Sequence, residues 1–126
     1  MAGRFLNNPP LLRQMPTDGK NSRPWMLMED LRYQSGLLNG EVIIVPAGFR
    51  TDFASCPWVC RRFFPQDGPW THAAITHDYL CDLRPVYASS KQAAAIFLEA
   101  MEALKVPVFQ RNAMYQAVRW FGPRWP

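Results

Sequence analysis

Trp70-Thr71-His72-Ala73-Ala74-Ile75-Thr76-His77-Asp78-Tyr79-Leu80-Cys81 is the stretch on which the fold class turns. Trp70, Ala73, Ala74, His77, Leu80 and Cys81 recur at spacings of three and four, which puts them on one face of an α-helix. Pro69, just before, suits a first helical position. Downstream the same period continues. Ser89 or Ser90 can cap a second helix, with Ala93, Ile96, Phe97, Ala100, Met101 and Leu104 inward and Lys91, Glu99 and Glu102 outward. Pro107 separates it from a third, over about 108–121, striped by Met114, Tyr115, Val118 and Phe121.

Upstream the pattern changes. Trp25–Tyr33 is a strand candidate, Asn39-Gly40 is a turn signal, and Glu41–Val45 follows as a β-branched run (Val42, Ile43, Ile44, Val45) that Pro46 ends. Residues 1–24, rich in Pro, Asn and Gly, read as an extended lead-in. Strands followed by helices give an α+β order. We therefore expect one domain over 1–126: a lead-in to 24, a core over 25–122 with a small antiparallel sheet packed against about three helices, and a tail at 123–126.

Composition fits an ordinary globular chain. Of 126 residues, 48% are hydrophobic and 19% charged, so disorder is excluded. The net charge of +4 is spread out, with Arg61, Arg62, Arg111, Arg119 and Arg124 in no dense run. No nucleic-acid motif accompanies it, so nucleic acid is not the expected partner. No apolar run nears the ~18 residues of a membrane-spanning helix. Met1–Leu6 lacks the apolar stretch of a signal peptide, so folding in a cytosol is expected.

Three groups of residues could carry chemistry. His77 and Asp78 are the first: a desolvated imidazole can serve as a general base, and the neighbouring carboxylate can hold a cation. The alternative is a core histidine bonded to backbone. The second is Val45-Pro46-Ala47-Gly48-Phe49-Arg50-Thr51-Asp52-Phe53-Ala54-Ser55, where Gly48 permits a sharp turn and Asp52 could orient His77 or share a cation with Asp78. It reads equally well as a capped loop plugged by Phe49 and Phe53. The third pairs Cys56 and Cys60 with His77 and Cys81, two local spacings that a tetrahedral zinc site accepts. Three cysteines exclude a complete disulfide framework. At the C-terminal end, Arg111, Tyr115, Arg119, Trp120, Arg124 and Trp125 combine the residue types found at interface hot spots.

Taken in order, the motif from Val45 to Ser55, Ala73-Ala74 with His77-Asp78-Tyr79-Leu80, Ile96-Phe97 with Ala100-Met101, and Met114-Tyr115 with Ala117-Val118-Arg119 resemble a bacteriophage-encoded family classed as a domain of unknown function. The resemblance runs from about Trp25 to Gly122. A more distant similarity links the His77 helix to the active-site helices of secreted phospholipases A2. It implies His77 as the base that activates water and Asp78 as a calcium ligand. This chain departs from that pattern where Cys81 stands for an orienting Tyr and Ala94 for an orienting acid. An imidazole base without a partner on its other nitrogen loses most of its power, and Asp52 or Asp82 would have to substitute.

The expectation is thus a bacteriophage structural or assembly protein, made in the host cytoplasm and then associated with the tail or neck of the virion. It would dock on other phage subunits without catalysis and without a cofactor. The alternatives are a His-Asp hydrolase of lipid or cell wall, with calcium, and a zinc-stabilised binding module.

Overall fold

The computed structural model describes residues 3–7, 12–14, 25–51, 70–83 and 89–122. Alternation builds the first sheet. Strand β4 (Leu31–Gln34) turns Leu31 and Tyr33 inward, and β5 (Val42–Val45) does the same with Ile43 and Val45, while Arg32 and Ile44 face out. The strands are antiparallel, with Leu31 opposite Val45 and Tyr33 opposite Ile43. Strand β1 (Arg4–Phe5) lies on the other side of β4, giving the order β1-β4-β5. A second antiparallel sheet runs β2 (Leu12–Gln14), β3 (Trp25–Leu27), β6 (Arg50–Thr51).

Two sheets replace the single one expected, and the reason lies at residues 28–30. The Trp25–Tyr33 strand candidate is two strands in different sheets. Glu29 and Asp30 break its alternation, and the Asp30 carboxylate accepts the Ala47 N–H at 2.8 Å. That bond ties the outgoing crossover to the returning one at Pro46–Phe49. There Gly48, at φ 89°, takes the left-handed position of a tight turn that the Phe49 N–H closes onto the Pro46 carbonyl at 3.1 Å. The lead-in is not merely extended, since it supplies β1 to one sheet and β2 to the other.

Three α-helices follow among the described residues: α1 (Thr71–Asp82), α2 (Ser90–Ala103) and α3 (Val108–Phe121). Ser89 caps α2 by accepting the Gln92 N–H at 3.2 Å. Its far end closes with Lys105 at φ 58°, where Val106 N–H reaches the Met101 carbonyl and Lys105 N–H that of Glu102. Val106 is thereby buried and aims α3 back along α2. Helix α1 packs against α2 and β5, and α2 against α3, β1 and the single helical turn at Gly36–Leu38. The face expected of α1 is buried, and so are Ile75, Thr76 and Asp78 beyond it, because the helix is covered on nearly all sides. None of the described helices is long and apolar enough to cross a membrane.

Glu99, expected to point outward, does not. It is half-buried where α2 crosses the first sheet and accepts the Tyr33 hydroxyl at 2.5 Å, the Ser35 hydroxyl at 2.9 Å and the Leu37 N–H at 3.2 Å. Its place in the helix gives a polar position, but the turn after β4 folds donors over it. Gly3 lies against the same pair: a Cβ there would fall 1.8 Å from the Tyr33 hydroxyl. Burial, then the hydrogen bond to Glu99, raises the Tyr33 pKa.

Glu99→Ala should therefore lower unfolding free energy by about 1–3 kcal/mol, because it strands a buried hydroxyl. Adding Tyr33→Phe should recover part of that loss in urea titrations. The raised pKa means that the fold holds Tyr33 neutral, so its contribution is complete below the ordinary Tyr range near ~10 and is lost as pH rises above it. Alkaline unfolding should begin later in Tyr33→Phe.

Candidate functional site

The motif residues meet on α1. It packs against α2 and β5 and reaches the end of β6 through Asp78, so Ile75 to Asp78 in its middle are all desolvated. His77 is 3% exposed and Asp78 4%. Thr76, also buried, satisfies its hydroxyl within the helix on the His72 carbonyl at 2.9 Å. Asp78 reaches off the helix and accepts the hydroxyl of Thr51, at the end of β6. This bond brings the Val45–Ser55 motif, at Thr51, to the helix motif, and it supplies a buried carboxylate with a donor it needs. Beside it, Phe49 meets Tyr79 edge to face, with ring centroids 5.4 Å apart.

The surroundings of His77 are different in kind. The Cys81 sulfur lies 3.8 Å from Nδ1 and 3.8 Å from Nε2. A sulfur equally far from both nitrogens is aligned with neither N–H, so this contact is packing rather than a directed hydrogen bond. The Phe97 ring lies at 5.3 Å between centroids. Among the described residues, no carboxylate stands within hydrogen-bond reach of the imidazole. Burial lowers its pKa to about 4, so the ring is neutral at physiological pH. Ala94, the α2 position where an orienting acid would stand, is buried. Asp82 ends α1 and is exposed.

Asp52, Cys56 and Cys60 lie outside the described residues, as do Arg124 and Trp125. The zinc arrangement is thus represented by His77 and Cys81, one turn apart. Among the described residues, no group of three or more His, Cys, Asp and Glu gathers as metal ligands would. A calcium site takes six to eight oxygens, and in this neighbourhood Asp78 and Thr51 bring oxygens that bond each other.

The C-terminal residues divide by helix face. Arg111 is half-buried on the inner side of α3, where its guanidinium donates to the Val106 carbonyl at 3.3 Å and its Nε is buried without a partner. Tyr115 is half-buried against the core. Trp120 is exposed, donates from its ring N–H to Gln116 at 2.8 Å, and carries the Arg119 guanidinium 5.1 Å from its ring centroid. Sequence reasoning missed Phe109, at 82% the most exposed of the large apolar side chains described. Its signal was legible: Phe109 falls opposite the Met114–Val118 stripe and in line with Trp120. Thr51 also went unassigned, because a threonine in a motif loop does not announce its acceptor.

These features define a small α+β domain whose characteristic polar residues are folded into its core. The chain belongs to the family described as a protein of unknown function (DUF1353), whose model matches residues 25–118. That span includes Thr51, His77, Asp78, Cys81 and Glu99 and stops short of Arg119 and Trp120. Over 89 residues the chain is 35% identical to the uncharacterized protein y4jT of Sinorhizobium fredii (strain NBRC 101917 / NGR234). The alignment covers 69% of this chain and 26% of that protein, so the chain spans about a quarter of the length of the curated relative it matches. No solved structure matches it.

Two substitutions test the buried pair. With a folded pKa of about 4 against 6.5 unfolded, His77 contributes fully above pH 6.5, and its contribution falls as pH drops toward 4. In urea titrations, wild type should lose about 2–3 kcal/mol more than His77→Leu between pH 7 and pH 4.5. Thr51→Val should cost roughly 1.5–3 kcal/mol by removing a donor to a buried carboxylate, and Thr51→Ser far less.

Proposed function

We propose that this domain is a non-catalytic structural or assembly subunit of a bacteriophage particle, which works by docking on other subunits. One observation carries the non-catalytic part of this reading. The imidazole at the centre of the motif helix is sealed, neutral and packed between a thiol and a phenyl ring, with no carboxylate in reach among the described residues. A general base needs access to the proton it takes and a partner for the imidazolium it becomes. On this reading the motif helix is a folding element: Asp78 locks it to β6, and His77 fills the space beneath α2. The phage assignment draws on the resemblance of the ordered motifs from Val45 to Arg119.

A second reading keeps the motif helix as part of a hydrolase of lipid or cell wall. The observation in its favour is that Thr51, bonded to Asp78, immediately precedes Asp52. In that case His77 would be the base, and Asp78 with Asp52 would place a cation or water.

Mass spectrometry of purified particles decides between them, together with assays for released fatty acid and cell-wall fragments. The docking reading expects the protein in particles at a fixed copy number, and no release that distinguishes wild type from a folded His77→Leu. Abundant free monomer in infected cells with none in particles would remove it. Release that vanishes in His77→Leu would install the hydrolase.

A further inference from the structure

Helix α3 spends one side on the core, through Met114 and Val118. Its opposite side runs Phe109, Ala113, Gln116, Trp120 at spacings of four, three and four, a single line about 16 Å long. Phe109 is 82% exposed, Trp120 55% and Val108, at the head of the helix, 58%. Trp120 is not loose: Gln116 holds its ring N–H at 2.8 Å, and Arg119 lies over its face. A line of this kind, aromatic at both ends and with its largest ring fixed in place, is pre-organised for contact, since less side-chain freedom remains to be lost on binding. We propose that this outer face of α3 docks on a protein partner that presents an apolar cleft rimmed by carboxylates.

Charge selects that occupant. From Ala103 to Pro126 the chain carries Lys105, Arg111, Arg119 and Arg124 and no Asp or Glu, and of these Arg119 stands against Trp120 at the end of the line. The first turn of α3 has no acidic side chain to offset the positive end of the helix dipole. A second copy is a poor fit, because two such helices face to face offer Arg119 no carboxylate on either side. An anionic membrane fits less well than a protein. Asn112 and Gln116 sit in or beside the line between Phe109 and Trp120, and a lipid face would strip them of hydrogen bonds that a protein surface can return. Nucleic acid would call for converging cations, whereas among the described residues of α3 Arg111 is turned inward to Val106 and Arg119 is the cation left beside the line. Trp and Arg in fixed contact, beside an exposed Phe, are the groups that dominate protein interfaces.

The inference rests on the docking reading above and adds to it the surface and the chemistry of the partner. Its test is a photo-crosslinking phenylalanine analogue at position 109 in full-length protein made during particle production, with Ile44, exposed on β5, as the comparison position. Cross-linked peptides are then sequenced. The expected result is a link from 109 to a different polypeptide, within a segment where Asp and Glu outnumber Lys and Arg. Its yield should be about tenfold lower in Arg119→Glu and should fall with added salt, with the helical signal of the variant unchanged. Linkage from 109 to a second copy of this chain overturns the proposal, as does a neutral or basic target segment. So does salt-sensitive sedimentation with phosphatidylglycerol-containing vesicles without a protein link. Incorporation into particles with linkage from 44 and none from 109 sinks the α3 surface while leaving the docking reading intact. Failure of both linkage and incorporation sinks the two together.

Discussion

A helix covered on nearly every side has to settle its polar groups internally, and α1 is such a helix. Nine of its twelve residues are buried, among them Thr71, Thr76, His77 and Asp78. Water is not at hand for these groups, and an unpaired buried carboxylate would cost more than most single contacts contribute. The bond from Thr51 to Asp78 is one answer to that constraint. It also fixes where β6 ends relative to α1, and so it links the second sheet to the helical layer. His77 meets the same constraint the other way, by remaining neutral.

A comparable knot holds the first sheet. Glu99 gathers three donors from β4 and the turn that follows it, which ties α2 across the strands. The approach of Gly3 to this cluster is close enough that a side chain there would collide with Tyr33. The two knots use carboxylates on different helices, each answered by a hydroxyl from a strand. In this fold, polar residues that resemble catalytic ones by type are engaged in joining layers.

Once α1 and α2 are fixed, α3 is positioned by the left-handed Lys105 and the burial of Val106. Its inner stripe completes the core, and Phe109 on its outer side is exposed. The division of labour is then spatial: the family match covers the knotted interior, whereas the exposed aromatic line extends past its end at residue 118.

Much of the architecture was legible in the residues alone, because periodicity is a local property. The stripes over 93–104 and 108–121, the cap at Ser89, the break at Pro107, and the turns at Asn39-Gly40 and Gly48 follow from side-chain spacing and backbone preference. The α+β order follows from them. Local pattern could not divide Trp25–Tyr33 between two sheets, since strand partners are chosen by chain segments far away in sequence. Nor could it place Glu99, which sits on a helix position that reads as polar and is buried only because a distant turn folds over it. His77 and Asp78 stood out as chemistry by type and adjacency. Whether such a pair catalyses or merely packs depends on which groups tertiary folding sets against it, and among the described residues these include Thr51, Cys81 and Phe97, two of them far from the pair in sequence.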